Sequence, residues 1–509
     1  MRYATLISSI SFAAIAVIAT AEARAQTTTR PSAGAHAAAK PALTTPAPPI
    51  EPRADRFAGV YGVKGGLTAD RVADRAVATS PEIRQKSAAI DVASGEAEHA
   101  TMAIIVPRID LRARYARLSP ITQKSLLPGV DGTLITSGKS ETGTIEDNIT
   151  EPLERTTPPK LPVILNNISF DAIFTVPLSD YALRLVKVLQ LGETSVRAAE
   201  LEKLAARATV ATTGRLTFYE WARVRGQAIV AEQGVEQAKS HLSDAQHGLA
   251  LGVVTPADAL RAEAQVKRSE LLLSQARHGV ILAEERVRSV MHEPPGGKLE
   301  VGDDLLGVTT DRANESVDNL QAEAARRRLE LRALDEAAKA FRQSASVKRV
   351  DLLPRVDGFA GATMANPNQR YTPQQREFLG TWEAGAVLSW SPTEIPRVRA
   401  AAAADEARAE QVAARRDSVR DAVRLEVLAA WHATIEAREA VTTSEQTLSA
   451  SEESYRMRRE LYRGGRASYV EISDAETDVT RARLDDVSAR IDVHVARARL
   501  AHAVGRDTD

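Results

Sequence analysis

Two long runs of small and apolar residues, spaced by three and four positions, restrict the fold of this 509-residue chain more than any other feature. The first run is Trp221, Val224, Ala228, Ala231, Val235, Ala238, Leu242, Ala245 and Leu249, and the second is Ala262, Val266, Ser269, Leu273, Ala276, Val280, Ala283, Val287 and Val290. A 3.5-residue period predicts helices that coil around partner helices. A helix from about 180 to 249 would be about 100 Å long at ~1.5 Å per residue. We therefore expect an elongated molecule.

The corner that joins these two helices occurs twice in the sequence. LGVVTPADALRAEAQ at 251–265 and RGGRASYVEISDAET at 463–477 place a glycine, a hydroxyl residue and a carboxylate in step. The matching positions are Gly252, Thr255 and Asp258 in the first copy and Gly465, Ser468 and Glu471 in the second. Glycine ends one helix, and Thr or Ser caps the next. Each corner is therefore predicted to be the tip of a helical hairpin, near 249–257 and 463–469.

The corners belong to a duplication that extends over most of the chain. SPEIRQ at 80–85 recurs as RLELRA at 328–333, VPRIDLRARY at 106–115 recurs as LPRVDGFAGA at 353–362, and Trp221 recurs as Trp431. Each half follows the order helix, strand, loop, strand, long helix, corner, helix. A period above two hundred residues is too long for a solenoid. The sequence predicts two copies of one domain, at 66–305 and 311–504.

Four segments alternate apolar and polar residues with a period of two. They lie near 104–117, 167–177, 350–362 and 381–391, and in the first of them Ile109 and Leu111 alternate with charged residues. A length of about ten residues with one apolar face is typical of a transmembrane β-strand. An amphipathic sheet on a soluble core is the alternative, but no remaining segment supplies a face to cover such a sheet.

Four strands do not close a barrel, because about eight strands are the fewest that do so. An open sheet edge in lipid leaves backbone groups without hydrogen-bond partners. The chain is therefore expected to share a barrel with other copies, and two copies would give eight strands while three would give twelve. The stretches 119–165 and 363–380 are predicted to be loops between the strands.

The first residues have the pattern of an export signal. Arg2 precedes the apolar stretch TLISSISFAAIAVIA, and Ala23-Arg24-Ala25 forms a cleavage site, so 1–25 is predicted to be a signal peptide. A membrane anchor is the alternative, but the apolar run is shorter than the ~20 residues that a bilayer helix needs. The Pro- and Ala-rich stretch 26–60 is predicted to be a flexible leader.

Composition argues against several classes of function. The net charge of −1 lacks the basic surplus of a nucleic-acid binder. The chain has no cysteine, which excludes a disulfide framework, a thiol nucleophile and a lipid anchor on cysteine. The nine histidines are scattered, and no catalytic or metal-binding constellation is evident. We expect neither an enzyme nor a cofactor or metal site.

The duplicated plan, the paired strands, the long seams and the two corners together resemble the TolC-like outer membrane efflux protein family, also called outer membrane factors. The resemblance implies a mixed α and β membrane protein. Three protomers would form a homotrimer with a 12-stranded β-barrel, four strands per protomer, continued by a long α-helical coiled-coil barrel. The location implied is the outer membrane of a Gram-negative bacterium, with the helices extending into the periplasm.

The resemblance also implies a function and partners. The chain would be the channel of a tripartite efflux or type I secretion system, a passive conduit from periplasm to exterior that is gated at the periplasmic tip. Its partners would be outer membrane lipid, a periplasmic adaptor (membrane fusion) protein and an inner-membrane RND or ABC pump. The alternative is a periplasmic coiled-coil adaptor or structural protein. Adaptors usually have one hairpin flanked by compact β domains, whereas this chain has two hairpins.

By resemblance, the second corner contains the gate of such a channel. The family pattern assigns constricting carboxylates to Glu471 and Asp474, and a hydrogen-bonded latch to Tyr462, Asp258 and an arginine. The arginine of this chain, Arg466, stands one position before its place in the family. Adaptor docking would fall on the tip residues Gly252, Thr255, Gly465 and Ser468. The alternative for the three carboxylates is that they are solvated charges favoured by the helix dipole at a helix start.

Overall fold

The computed structural model describes residues 60–120, 164–307 and 315–507. The predicted signal peptide, nearly all of the leader and most of the first predicted loop lie outside these ranges. The helices are α1 Ala69–Thr79, α2 Pro81–Ile105, α3 Leu178–Leu183, α4 Leu185–Ala250, α5 Pro256–Met291, α6 Val317–Arg327, α7 Leu329–Lys348, α8 Ile395–Arg463 and α9 Tyr469–Val504. The strands are β1 Arg108–Arg117, β2 Asn166–Val176, β3 Arg355–Asn366 and β4 Leu379–Ser389.

The order of elements is the same in both halves of the chain, except for the six-residue α3. Two helices lead to two strands, and a very long helix then leads through a corner to a shorter one. The long helices α4 and α8 contain 66 and 69 residues, so each extends for about 100 Å. No helix among the described residues combines the length and the hydropathy needed to cross a membrane.

The four strands form one antiparallel sheet in the order β1-β2-β3-β4. The register aligns the predicted apolar residues, so that Leu111 faces Ala172 and Ala362 faces Trp382 across neighbouring strands. These side chains form one continuous apolar face, on which Leu111 is 77% and Trp382 78% exposed. The predicted combination of four strands with long helices is confirmed.

The opposite face of the sheet is mixed, with charged and hydrogen-bonding side chains beside Ile173, Phe359 and Val387. Arg112 pairs in register with Asp171, which pairs in turn with Thr363. The Thr363 hydroxyl donates a hydrogen bond of 2.7 Å to Asp171 Oδ1. The alternation read in the sequence therefore separates an apolar face from a face with charged and hydrogen-bonding side chains.

Two strand boundaries differ from the prediction. The first strand, predicted from 104, begins at Arg108, because Ile104 and Ile105 complete the last turn of α2 and the Val106 N–H donates to the Met102 carbonyl. The third, predicted from 350, begins at Arg355, because a 3-10 turn at Arg349–Leu352 comes first. In both segments the apolar residues at the predicted strand start belong to a helical turn, in which side chains repeat about every 3.6 residues and not every two.

The second predicted loop, 363–380, is also shorter in the structure. β3 continues to Asn366 and β4 begins at Leu379. Met364 pairs with Gly380 and Ala365 pairs with Leu379, so the ladder reaches further than the sequence alternation indicates. Glycine and asparagine at the strand ends weaken the sequence signal there without preventing backbone pairing.

The predicted seam of α4 is correct in part. Trp221, Val235, Ala238 and Ala245 are buried, but Leu249 is 38% exposed. Five residues that the 3.5-residue pattern does not include are also buried, namely Ala222, Gly226, Val230, His241 and Gly248. A straight helix has 3.6 residues per turn, so its buried stripe drifts by about 20° per heptad from a strict 3.5-residue pattern.

The central core lies where α1, α4, α5 and α9 meet. We use the name central core for the buried cluster Ala69, Val72, Phe218, Trp221, Ala222, Val230, Ala283, Val287, Met291, Val301, Leu305, Val487 and Ile491. A short parallel bridge between Leu67 and Val301 closes it at one side. Tyr61 also fixes this segment, because its hydroxyl donates a 2.8 Å hydrogen bond to the Ala222 carbonyl. This core packs the first hairpin against α9 of the second.

Candidate functional site

The first corner is a helix stop followed directly by a capped helix start. Gly252 adopts φ +72°, in the left-handed region that favours glycine. Thr255 caps α5, since its Oγ1 accepts from the Asp258 backbone N–H at 3.2 Å. The same hydroxyl donates to Asp258 Oδ2 at 2.7 Å. The carboxylate of Asp258 therefore belongs to the structure of the turn.

The second corner repeats this arrangement more completely. Gly465 adopts φ +66°, and Ser468 caps α9. Glu471 and Ser468 form a reciprocal capping box, in which the Ser468 backbone N–H donates to Glu471 Oε2 at 2.7 Å. This backbone hydrogen bond, followed by that from the Ser468 hydroxyl, lowers the pKa of Glu471. The duplicated motif thus corresponds to two equivalent helix caps.

The other charged residues of the predicted gate lie at the surface. Arg466 and Asp474 are exposed, and neither side chain forms a hydrogen bond or ion pair within the described ranges of this single chain. In the first corner, Arg261 occupies the position equivalent to Asp474 and lies 3.7 Å from Asp258. The two corners therefore present charges of opposite sign at equivalent positions.

Tyr462 lies half-buried between the hairpins. Its hydroxyl is buried and has no hydrogen-bond partner in the described part of the chain. Burial raises the pKa of Tyr462, and the charges of Asp258 and Asp244 act in the same direction. Tyr462 and Asp258 are thus close enough to interact electrostatically, but no Tyr462–Asp258 hydrogen bond is formed.

An ion pair that the sequence analysis missed connects the two hairpins near this tyrosine. Arg463 Nη2 of α8 lies 3.3 Å from Asp244 Oδ2 of α4. Both residues are in the last two turns before their corners, at 463 and 244. The sequence signal for this ion pair is that opposite charges lie near two tips at the same end of the molecule. Periodicity within each helix does not say which helices of different hairpins are neighbours.

A buried polar cluster lies about two turns from the corners and was also missed. His241 Nε2 forms a 2.8 Å hydrogen bond with Tyr455 Oη and lies 3.7 Å from Glu476 Oε2. Burial lowers the pKa of His241 to about 4 and raises that of Glu476 to about 7. Ala245, Ala262, Ile472, Ala475 and Val479 are among its buried apolar neighbours. We call the full buried cluster of Ala245, Ala262, Tyr455, Tyr469, Ile472, Ala475 and Val479 the tip core.

Comparison with known proteins identifies the architecture. Residues 320–506, nearly all of the second repeat, match the family model described as outer membrane efflux protein. The resemblance to the TolC-like outer membrane efflux family is confirmed. No curated protein matches the chain. The efflux-family match falls on the half that contains Tyr462, Arg466, Glu471 and Asp474.

Solved outer membrane proteins share the fold of most of the chain. The outer membrane protein VceC from Vibrio cholerae is 15% identical, with 86% of this chain and 96% of that one covered and a TM-score of 0.66. The CmeC outer membrane channel of Campylobacter jejuni is 12% identical, with coverage of 92% and 94% and a TM-score of 0.64. The open state of the Neisseria gonorrhoeae MtrE outer membrane channel is 15% identical, with coverage of 86% and 88% and a TM-score of 0.60. At these identities the likeness establishes the fold alone.

Metal binding has no candidate site in the described ranges, where no group of three or more His, Asp or Glu side chains is arranged to hold an ion. The titratable groups near the tips serve other purposes. Glu471 completes the capping box of α9, Asp258 accepts a hydrogen bond from the capping residue Thr255, Arg463 pairs with Asp244, and Glu476 is buried. The tips therefore contain charged groups at helix starts and polar contacts between the hairpins.

Proposed function

We propose that this chain is the outer membrane channel of a tripartite efflux or type I secretion system. The observation that carries the proposal is the four-stranded sheet with an exposed apolar face, attached to helices of about 100 Å. β1 and β4 each have one side without a strand partner among the described residues. Three copies placed edge to edge give twelve strands and satisfy the backbone groups that lipid would leave unpaired.

The charged face of the sheet supports a water-filled interior. Arg112, Asp171 and Thr363 lie on the face opposite to Leu111 and Trp382. Transport through such a conduit would be passive, with energy supplied by an inner-membrane RND or ABC pump through a periplasmic adaptor. The exported chain would lie in the outer membrane, and its two corners would face the adaptor. The adaptor-docking residues would include Gly252, Thr255, Gly465 and Ser468.

The oligomeric state in detergent tests this proposal against the alternative of a periplasmic adaptor. A channel is expected to be found in the outer membrane fraction as a trimer and to conduct ions after reconstitution in planar bilayers. An adaptor would be released with the soluble periplasm and would form no pore. A monomer that folds fully without other copies of the chain would contradict the channel proposal.

The gate of the proposed channel is predicted to depend on Glu471 and Asp474. In a trimer these residues form two rings of carboxylates, which attract cations to the aperture. The double variant Glu471→Gln and Asp474→Asn is expected to raise the concentration of a trivalent cation needed for half-block by roughly tenfold. Each exposed charge contributes about 1 kcal/mol to a cation at 4 Å in water. Single-channel recording across planar bilayers measures the block.

Glutamine is chosen at position 471 because it retains the capping box with Ser468, whereas alanine would also weaken the helix start. The matched control is Glu410→Gln, since Glu410 is exposed on α8 far from the tip. The control is expected to be blocked like the wild type. Equal block of the double variant and the wild type would contradict this assignment of the gate.

A further inference from the structure

The candidate for a further role is the carboxyl group of Glu476, which is buried at the junction of the two hairpins. Glu476 of α9 is 4% exposed, and its neighbour His241 of α4 is 2% exposed. Tyr455 of α8 completes the cluster and is also buried. The three residues come from three different helices, so the cluster joins the first hairpin to both helices of the second.

The contacts of this cluster leave the carboxylate poorly compensated. His241 Nε2 lies 3.7 Å from Glu476 Oε2, which is beyond hydrogen-bond distance. His241 Nε2 is already hydrogen-bonded to Tyr455 Oη, and its buried Nδ1 has no hydrogen-bond partner within the described residues. An ionised carboxylate in such surroundings is unfavourable unless a cation pairs with it.

The charged and titratable groups around the cluster come from all four hairpin helices. They are His241 and Asp244 of α4, Arg268 of α5, Tyr455, Arg459 and Arg463 of α8, and Tyr469 and Arg483 of α9. Arg483 is the cation that favours ionisation of Glu476, but burial has the larger effect. Arg483 also lies 3.3 Å from Glu452, and Arg463 pairs with Asp244. The nearby guanidinium groups are thus shared with other carboxylates.

An open cleft borders Glu476 in the packed structure. Glu476 lines a cleft of about 520 Å³ between α4, α5 and α9, together with Leu272, Thr480 and Leu484. A proton can enter or leave through this cleft. A charge formed on Glu476 would then be stabilised by water entering the junction, which separates the helices that pack there.

We propose that protonation of Glu476 controls the packing of the two hairpins against each other at their tips. With the carboxyl group neutral, the junction is closed as in the structure. With the carboxylate charged, the tip core loosens and the hairpins move apart. The proposal rests on the proposed function, because it assigns pH sensitivity to the tip where that channel would be gated.

The direction of the pH effect follows from the raised pKa. A carboxyl group whose pKa rises on folding stabilises the packed state at low pH, and this contribution is lost as pH rises through the folded value. Burial raises the pKa of Glu476 to about 7, from an ordinary value of 4.5. The tips are therefore expected to be packed at pH 5.5 and loosened at pH 8.5. His241, with its pKa lowered to about 4, stays neutral throughout this window.

Distance measurement between spin labels tests this switch directly. The chain contains no cysteine, so Leu251→Cys and Val470→Cys, both at exposed positions of the two corners, give two unique labelling sites. Full-length protein in detergent, diluted with excess unlabelled copies, is measured by pulsed electron–electron double resonance. The distance distribution is expected to be narrow at pH 5.5 and to become broader and longer at pH 8.5, with a midpoint near pH 7.

Three variants assign the change to Glu476. Glu476→Gln is neutral at every pH and is expected to keep the narrow distribution at pH 8.5, and Glu476→Met serves as a second neutral replacement. Asp478→Asn, which alters an exposed carboxylate on the same helix, is expected to respond to pH like the wild type. A wild-type distribution that does not change with pH, or a neutral variant that changes as the wild type does, would overturn the proposal.

The outcome is separable from that of the channel proposal. Label distances require neither a membrane nor a pore, so a pH response in protein that conducts no ions would support the switch and reject the channel. Conductance together with label distances that do not change with pH would support the channel and reject the switch.

Discussion

Leu111→Arg is expected to prevent assembly of the protein in the outer membrane. Leu111 lies in the middle of β1, on the apolar face of the sheet, and is 77% exposed in the single chain. If this face contacts lipid, an arginine there costs about 2–4 kcal/mol per copy near the bilayer midplane. The cost would apply three times in a trimer. Heat-resistant trimers in the outer membrane fraction, detected by gel electrophoresis, measure the effect.

Thr363→Arg is the matched control for this substitution. Thr363 lies in β3 of the same sheet but on the opposite face, in register with Asp171. If this face lines a water-filled interior, an arginine there can pair with that carboxylate, so trimers are expected at close to the wild-type level. If both variants assembled equally well, the apolar face would not be a lipid-facing surface. If both failed, the two faces would not differ in environment.

Trp221→Ala is expected to lower the free energy of unfolding by about 3–5 kcal/mol, the range for truncation of a large buried aromatic side chain. Trp221 is fully buried in the central core, where its ring contacts that of Phe218 edge-on at 5.8 Å between centroids. Its loss leaves a cavity where α1, α4 and α9 meet. Loss of helical circular dichroism on heating in detergent measures the change.

The duplication provides an internal control at Trp431, the equivalent residue of the second half. Trp431 is only half-buried, and its Nε1 donates to the Glu315 carbonyl at 3.3 Å. Trp431→Ala is therefore expected to cost less than Trp221→Ala. Trp221→Phe is also expected to cost less, because Trp221 Nε1 is buried without a hydrogen-bond partner in the described ranges. Equal destabilisation at 221 and 431 would contradict the assignment of Trp221 to a central core.

The sheet illustrates how much of the fold the sequence predicts. Alternation places Leu111 and Trp382 on one face whatever the neighbouring strand is, because side chains in any strand point alternately to opposite sides. The ends of the strands are less predictable, since Ile104 and Val350 are equally compatible with a helical turn. Apolar character alone does not distinguish the two conformations.

The tips show what the sequence does not predict. Gly252, Thr255 and their equivalents were located correctly, because helix stops and caps depend on residues a few positions apart. The Arg463–Asp244 pair and the burial of His241 depend instead on how separate hairpins pack. The assignments of Glu471 and Asp474 to a gate remain predictions, and the structure adds that Glu471 also caps α9.

The outer edges of β1 and β4, which have no strand partner in the described part of the chain, also have a consequence before the protein assembles. An uncovered strand edge is a template that any extended polypeptide can join. A newly exported copy would present two such edges together with a broad apolar surface. It would therefore need to associate quickly with other copies, or to bind a chaperone that shields these surfaces, to avoid aggregation. If three molecules must meet, as the proposed channel requires, the yield of finished complexes should fall steeply when synthesis is slow.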